Sequence, residues 1–118
     1  MTTPQTIHTK VAGVSFKNPD GTARQQHIRR YCVAFMPVIL RREPDNRHDK
    51  NAVAVWVSAR KFGVIEAEVQ IGHLSPDLAA DIAHHIDHGG TVTGEITEIT
   101  SGRRGETDVG VNIVLRKR

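Results

Sequence analysis

Cysteine is almost absent from this 118-residue sequence, which contains only Cys32. One cysteine cannot form an internal disulfide bond, and it cannot build a zinc site from several thiolates. The sequence therefore lacks the disulfide framework of small secreted proteins, and we expect a reducing, cytoplasmic location. No histidine lies at an informative spacing from Cys32, so we interpret this residue as a small buried hydrophobic side chain.

Long apolar runs are also missing. No stretch of about 18 apolar residues occurs, which argues against a transmembrane helix, and the first residues lack the basic start and apolar core of a signal peptide. There is no G-x-x-x-x-G-K motif and hence no sign of a nucleotide-driven motor. The length corresponds to one domain. We predict a single domain over residues 1–118, with its core at residues 7–116.

Positive charge is present in modest excess, with 16 Lys and Arg against 13 Asp and Glu, for a net charge of +3. Most of it comes from arginines that occur in clusters: Arg24, Arg29 and Arg30; Arg41, Arg42 and Arg47; Arg103 and Arg104; Arg116 and Arg118. Such clusters attract phosphate even when the net charge is small. A solvated surface gives the same composition, so both interpretations stay open.

Alternating apolar and polar residues predict a series of short strands. The predicted strands cover residues 7–16, 33–40, 52–57, 64–74, 91–99 and 109–115, with a hairpin loop at 101–105. Together with two short helices, they indicate a mainly β fold arranged as a small, partly open OB-like barrel. The single tryptophan, Trp56, points opposite Val53 and Val55, and we expect it in the core on a second face, with an exposed platform as the alternative.

Capping signals mark the two helices. Thr22 and Gln25 fit a capping box at the start of the first helix. Its core-facing residues are predicted to be Ile28, Tyr31 and Cys32, with Arg24, His27 and Arg30 on another side.

Ser75 is the predicted N-cap of the second helix, Pro76 fills its first position, and glycines 89–90 end it. Its apolar stripe is Leu78, Ile82 and Ile86, flanked by Ala79 and Ala83.

Seven histidines raise the question of a metal site. His84 and His88 have the i, i+4 spacing of metal ligands on one helical face, and Asp77 and Asp81 lie along the same face. Acids in the first turn and histidines in the last also complement the helix dipole, which explains the pattern without a metal. We expect no cofactor here and keep zinc or another divalent ion as the alternative.

The densest cluster of polar residues lies in REPDNRHDKNAVAV, residues 42–55, which reads as a strand end, a polar loop and a new strand. Asp and Asn in such a loop form turns and cap backbone groups. A calcium loop is excluded because the third position from Asp45 is Arg47 and the sixth is not glycine. Asp45, His48 and Asp49 also leave open a metal-dependent nucleic-acid hydrolase.

The same string resembles the signature of the HIRAN domain family. VAGVSF at residues 11–16 resembles the first strand of that family, and QIGHLSPDLA at residues 70–79 resembles its strand-to-helix segment. The three segments occur in the family's order, and the resemblance covers residues 9–116. It implies a non-catalytic, OB-like DNA-binding module that recognises single-stranded DNA with a free 3′-hydroxyl, in DNA repair or in replication-fork or mobile-element processing.

Residue by residue, the resemblance implies that Phe16 and His48 stack on bases. It implies that Asp49 accepts the 3′-hydroxyl with Asn46 beside it, and that His73 contacts the terminal nucleotide or its phosphate. The chemistry is consistent, because any base stacks on a flat side chain and a carboxylate accepts a hydrogen bond from a hydroxyl while it repels phosphate.

Arginines near these positions are the candidates for a phosphate-binding rim: Arg30, Arg42 and Arg47. The sequence departs from the family pattern at three positions: Arg47 stands for a common proline, His48 for tyrosine and Pro76 for a phosphate-binding lysine. We expect a monomer that binds single-stranded DNA or DNA ends and acts with a helicase or nuclease in trans, without a membrane. A protein-interaction or regulatory module that has lost the DNA-end pocket is the alternative.

Overall fold

The computed structural model describes residues 5–61, 63–101 and 108–118. Its elements are β1 (Gln5–Lys10), α1 (Arg24–Tyr31), β2 (Pro37–Arg42), β3 (Val53–Lys61), β4 (Val64–His73), α2 (Pro76–Asp87), β5 (Val92–Thr100) and β6 (Gly110–Lys117). The strands form one six-stranded antiparallel sheet in the order β1-β6-β5-β2-β3-β4. The predicted fold class, mainly β with two short helices, is confirmed.

The sheet curves until its two edges nearly meet. Just after β1, Ala12 donates its N–H to the His73 carbonyl at 2.7 Å, and its own carbonyl accepts the His73 N–H at 3.0 Å. A Cβ at Gly72 would lie 2.4 Å from the Ala12 carbonyl oxygen, so only glycine allows this approach. Among the described residues this bridge alone joins the edges, so the sheet is an open one rather than a closed barrel.

The core lies inside the curved sheet and is closed by the two helices. Alternate residues of β3 and β6 are fully buried there, and so are Ile28 of α1 and Ile82 of α2. The strand residues are Val53, Val55, Val57, Val111, Ile113 and Leu115. Burial of each such side chain contributes about 1.5–3 kcal/mol to the free energy of unfolding. The alternation predicted for these strands therefore corresponds to one buried face.

The start of α1 differs from the prediction. The N-cap is Ala23, which has no capping side chain, so the capping box of Thr22 and Gln25 is wrong. Thr22 instead bonds Asp20 Oδ1 through its backbone N–H at 2.9 Å and its hydroxyl at 2.6 Å. The Gln25 side chain donates to the Val14 and Val109 carbonyls. Thr22 therefore bonds a neighbour in the preceding turn and Gln25 bonds distant carbonyls, so neither side chain caps the helix.

Two strand boundaries were also wrong, and in each case a left-handed residue explains the difference. The first strand ends at Lys10 rather than residue 16, since Gly13 has φ +71° and the chain turns there. The strand predicted at 33–40 begins only at Pro37, because Phe35 also has φ +71°. The Phe35 N–H donates to the Ile96 carbonyl at 2.6 Å, which holds this uncommon conformation.

Two aromatic residues are less buried than predicted. Trp56 is only partly buried, and the Arg41 guanidinium lies 4.5 Å from its ring centroid, as in a cation–π contact. Tyr31 is likewise only partly buried. Cys32 is buried as predicted, and its burial raises the pKa of the thiol to about 12.

The second helix follows its sequence signals closely. Ser75 is its N-cap, Pro76 its first residue, and Gly89 after it has φ +87°. Ile82 and its flanking alanines are buried, whereas Leu78 and Ile86 are partly buried. Neither helix in the described part of the chain has the length and apolar character needed to cross a membrane. The predicted hairpin loop at 101–105 lies outside the described residues apart from residue 101.

Candidate nucleic-acid interface

A groove of about 330 Å³ lies where the turn after β1, the polar loop before β3 and the start of α2 come together. We call it the loop groove; it is lined by Ala12, Gly13, Phe16, Arg24, Asn46, His48, Asp49, Ala52, His73, Leu74 and Pro76. Its lining includes residues from all three sequence segments that carry the family resemblance. Five predicted site residues, Phe16, Asn46, His48, Asp49 and His73, are brought together here.

Asn46 organises the polar loop from inside. Its Oδ1 accepts the backbone N–H groups of His48 at 2.9 Å and Asp49 at 3.0 Å, and its Nδ2 donates to Glu43 Oε1 at 3.1 Å. These bonds are the turn chemistry that Asn commonly provides. They also fix the direction in which the next residues leave the loop.

The Asp49 carboxylate has one committed oxygen and one open oxygen. Its Oδ1 accepts the Asn51 N–H at 2.9 Å, which closes a second turn. Its Oδ2 makes no hydrogen bond with any described residue. Because Asp49 lines the groove and is partly exposed, this carboxylate offers a free acceptor to a ligand hydroxyl.

The two flat side chains at the groove are exposed. Phe16 is 65% exposed, although an apolar ring of this size is usually buried. Its backbone N–H donates to the Gly13 carbonyl at 3.1 Å, in the turn that brings the ring to the groove. His48 projects from the polar loop and is exposed as well. Neither ring is needed for the core, so both are available to stack on a ligand.

His73 and Glu43 connect the end of β4 to the polar loop. His73 Nε2 lies 2.6 Å from Glu43 Oε1, the same oxygen that Asn46 contacts. Both side chains are about one-quarter to one-third exposed, at 26% and 32%. Glu43 was not among the predicted site residues, although its position at the first turn of the polar loop was a usable signal.

Arg24 lines the loop groove, although the sequence pattern predicted no site role for it. It is the first residue of α1 and only 6% exposed, yet it lines the groove. Its Nε donates to Asn18 Oδ1 at 2.8 Å and its Nη1 to the Gly13 carbonyl at 3.0 Å. Burial lowers the pKa of the guanidinium and the charge of Glu43 opposes this effect. An arginine still remains charged at physiological pH.

The predicted phosphate-binding rim is not assembled around the groove. Arg42 uses Nε and Nη2 on the Asp87 carboxylate, both at 3.0 Å, and Nη1 on the Lys50 and Ala52 carbonyls. The bond to Asp87 raises the pKa of Arg42, and the same bond lowers the pKa of Asp87. Arg42 therefore holds the loop to α2, and it does not line the loop groove.

The other two rim candidates also lie outside the lining of the groove. Arg30 lines a different groove at the far end of α1, with its guanidinium 5.5 Å from the Tyr31 ring centroid. Arg47 is an exposed residue of the polar loop but does not line the loop groove. Neither arginine therefore lines the groove that holds the other predicted site residues.

The helical histidines do not form a metal centre with their neighbours. The rings of His84 and His88 pack against each other with centroids 4.2 Å apart, and Asp81 pairs with Lys117 at 3.0 Å. Across residues 5–61, 63–101 and 108–118, no three His, Cys, Asp or Glu side chains converge as metal ligands. The cluster of Asp45, His48 and Asp49 gives the hydrolase alternative no such set either.

These features define a class: a small, open antiparallel β module with a ligand groove between a polar loop and a helix start. The family model of the HIRAN domain matches residues 4–117, and the chain belongs to this family. HIRAN domains are generally DNA-binding modules of the OB-like type and generally not catalytic. No curated protein is similar enough in sequence to match the chain.

Two solved structures share the fold. The HIRAN domain of human HLTF is 18% identical, with a TM-score of 0.60 over 95% of this chain and 74% of that one. A protein from Lactobacillus plantarum is 16% identical, with a TM-score of 0.61 over 98% of this chain and all of that one. At these identities the similarity shows the common fold alone, so the roles of individual residues depend on the geometry of this chain.

Proposed function

We propose that this chain binds single-stranded DNA without cleaving it and holds a free 3′-hydroxyl end in the loop groove. The observation that carries the proposal is the Asp49 carboxylate, whose Oδ1 accepts the Asn51 N–H while Oδ2 bonds none of the described residues. It lies in one groove with the exposed rings of Phe16 and His48. Membership of a generally DNA-binding family supports the class of ligand.

Each side chain has a distinct role in this proposal. Phe16 and His48 stack on the last bases, and each stack contributes about 1–3 kcal/mol with little dependence on sequence. Asp49 accepts a hydrogen bond from the 3′-hydroxyl and repels a 3′-phosphate or an interior phosphodiester at the same position. Asn46 holds the loop that carries Asp49, and His73 contacts the terminal nucleotide from the end of β4.

The chain itself supplies recognition of an end and no chemistry at that end. The family resemblance supports a setting in the repair of DNA or in the processing of replication forks or mobile elements, where a helicase or nuclease acts in trans on the bound strand. The hydrolase alternative predicts divalent-dependent cleavage of a labelled strand. Incubation with Mg²⁺, Mn²⁺ or Zn²⁺ that leaves the strand intact is the expected result.

The proposal is tested by fluorescence anisotropy with one oligonucleotide sequence in three forms: 3′-hydroxyl, 3′-phosphate and circular. We expect the tightest binding to the 3′-hydroxyl form. The logarithm of the binding constant should fall linearly with the logarithm of the salt concentration, with a slope of about −0.7 for each phosphate contacted. Equal, weak binding to all three forms contradicts end recognition. A salt slope near zero contradicts DNA binding and favours the protein-interaction alternative, for which exposed Val33 and Phe35 offer a separate apolar surface.

A further inference from the structure

The loop groove contains a buried positive charge that the proposed contacts of Phe16, His48 and Asp49 do not use. Arg24 is 6% exposed, and its guanidinium lines the groove beside these residues. Burial of a charge without a compensating partner is costly, so a protein retains one where a ligand or partner supplies the opposite charge. The position of Arg24 in a ligand groove suggests that the ligand does so.

The partners of Arg24 within the protein are neutral. Nε donates to the amide oxygen of Asn18 and Nη1 to the backbone carbonyl of Gly13. No carboxylate among the described residues forms an ion pair with it. Glu43 acts on Arg24 only through its electrostatic field, because its Oε1 is bonded to Asn46 and His73.

One terminal nitrogen of Arg24 is left for a ligand. Nη2 makes no hydrogen bond with the described residues, and it is not among their fully enclosed, unbonded polar atoms. Since the residue lines the loop groove, Nη2 is the part of the guanidinium that remains open to it. A charge-assisted N–H···O bond to a phosphate oxygen is the strong interaction that this geometry offers.

The guanidinium is held in place before any ligand binds. Asn18, which accepts from its Nε, is itself buried and donates to the Gln70 carbonyl at 3.0 Å. A Cβ at Gly13 would lie 2.9 Å from Arg24 Nη1 and 3.3 Å from the Phe16 ring. The guanidinium and the stacking ring therefore both border the space beside Gly13, and a larger residue there would crowd both.

These observations match the chemistry of a terminal nucleotide. A 3′-terminal nucleotide presents a flat base, a hydroxyl and, on its 5′ side, an anionic phosphodiester. The loop groove presents the flat ring of Phe16, the open acceptor of Asp49 and the open donor of Arg24. Pro76 lines the same groove and brings no charge to it.

We propose that Arg24 binds the phosphodiester on the 5′ side of the 3′-terminal nucleotide and is thereby the main phosphate-binding residue of this site. The inference rests on the proposed binding of single-stranded DNA in the loop groove. It moves the phosphate contact from Arg30, Arg42 and Arg47, the arginines predicted from the sequence, to a buried arginine at the start of α1. Arg24 and Asp49 then contact the two sides of the same nucleotide.

The test combines neutral DNA linkages with substitutions of Arg24. A series of 3′-hydroxyl oligonucleotides carries one uncharged methylphosphonate at each of the last four linkages in turn. With the wild-type protein, we expect the affinity to fall about tenfold at the last linkage and to change little at the others. With Arg24→Met, the unmodified strand should bind about tenfold more weakly, and the methylphosphonate at the last linkage should cause no further loss.

The matched control is Arg29→Met, which removes an exposed arginine from the same helix and should keep the full methylphosphonate effect. Thermal unfolding followed by circular dichroism shows whether each variant is folded. If Arg24→Met does not fold, Arg24→Lys replaces it. Lysine keeps the charge but lacks the fork of donors that reaches Asn18, Gly13 and the ligand together, so the effect at the last linkage should shrink without disappearing.

Two results overturn the inference. One is an equal loss at the last linkage in the wild type and in the Arg24 variant, which would show that the two changes act independently. The other is a wild-type scan in which no linkage stands out. If either occurs while 3′-hydroxyl strands still bind better than 3′-phosphate strands, only the role of Arg24 fails. If that preference is also absent, the proposed function fails with it.

Discussion

The side-chain oxygen of Asn46 accepts the backbone N–H of Asp49 at 3.0 Å, so the carboxylate that faces the groove is positioned by the loop itself. The same oxygen accepts the His48 N–H, which sets the stacking ring and the carboxylate in one turn. The turn bonds of this loop and its proposed role in recognition are therefore compatible. Its turn bonds are what orient the groups available to a ligand.

Asp49→Asn separates the charge of Asp49 from its structural bond. Asparagine retains an acceptor for the Asn51 N–H, so the turn should persist, while the repulsion of a 3′-phosphate is lost. We expect the 3′-hydroxyl and 3′-phosphate strands to bind this variant with nearly equal affinity in anisotropy titrations. Asp45→Asn, an exposed change in the same loop, should keep the preference. An Asp49→Asn protein that still prefers the hydroxyl would rule out this role.

Asn46→Ala should weaken the fold of the loop. It removes the acceptor of two backbone N–H groups and the donor to Glu43, and we expect the free energy of unfolding to fall by about 1–2 kcal/mol. Urea denaturation measures this change. Asn51→Ala is the control, since only the backbone of that exposed residue makes a bond in this loop, and its effect should stay within about 0.5 kcal/mol. Equal effects of the two substitutions would contradict the central role of Asn46.

The parts of the fold that sequence patterns predicted are those in which local chemistry decides the outcome. The buried alternation of Val53, Val55 and Val57 follows from the two-residue period of a strand. Ser75 and Pro76 start α2 as predicted, because a proline at the first helical position loses no hydrogen bond there. Within the site, the family resemblance predicted that the stacking residues and the loop residues share one pocket. In the structure, Phe16, His48 and Asp49 line one groove.

The parts that could not be predicted depend on partners far away in the sequence. Gln25 does not cap the helix because its side chain forms hydrogen bonds with the backbone of Val109, 84 residues away. Arg42 was predicted to bind phosphate, yet its guanidinium donates two hydrogen bonds to the carboxylate of Asp87, 45 residues further on. Arg24 looked like one more basic residue of an amphipathic helix. It lines the groove only because the fold brings distant residues such as Asp49 and Pro76 beside it.

Phe16→Ala should weaken binding of every single strand without weakening the fold. The ring is 65% exposed, so its loss removes a stacking surface of about 1–3 kcal/mol and little of the core. Phe35→Ala is a matched control, because that ring is 78% exposed at a different place in the fold. Anisotropy titrations with strands of different base composition should show a loss for Phe16→Ala alone. Similar losses for both variants would indicate nonspecific contact with exposed aromatic rings.

Arg42 and Asp87 should contribute to stability rather than to DNA affinity. A double-mutant cycle of Arg42→Met and Asp87→Asn, followed by urea denaturation, measures their coupling. Arg42 keeps the pKa of Asp87 below its ordinary value of 3.8. A carboxylate with a lowered pKa stabilises the fold above its unfolded pKa, and this contribution is lost as the pH falls through the folded value.

We therefore expect coupling at neutral pH that disappears as the pH is lowered past 3.8 and through the lowered pKa of Asp87. Because Asp87 is exposed, the coupling should also decrease in high salt. Arg42→Met should leave the salt slope of DNA binding unchanged if the side chain makes no phosphate contact. A slope reduced by about 0.7, the value of one phosphate contact on a single strand, would restore Arg42 to the phosphate-binding set.

Cys32 provides a probe of the core that is independent of DNA. Burial raises its pKa to about 12 from an ordinary value of 9.0, so the thiol should stay protonated and unreactive toward a disulfide reagent at pH 8 until the chain unfolds.

A raised pKa of the Cys32 thiol in the folded state stabilises the protein below the unfolded pKa, and this contribution is lost as the pH rises toward the folded value. Between pH 8 and pH 10, the free energy of unfolding of the wild type should therefore fall by about 1 kcal/mol more than that of Cys32→Ala. Because lysines and tyrosine titrate alike in both proteins, the difference isolates the thiol. Parallel pH profiles, or rapid labelling of the folded protein, would show that Cys32 is accessible to water.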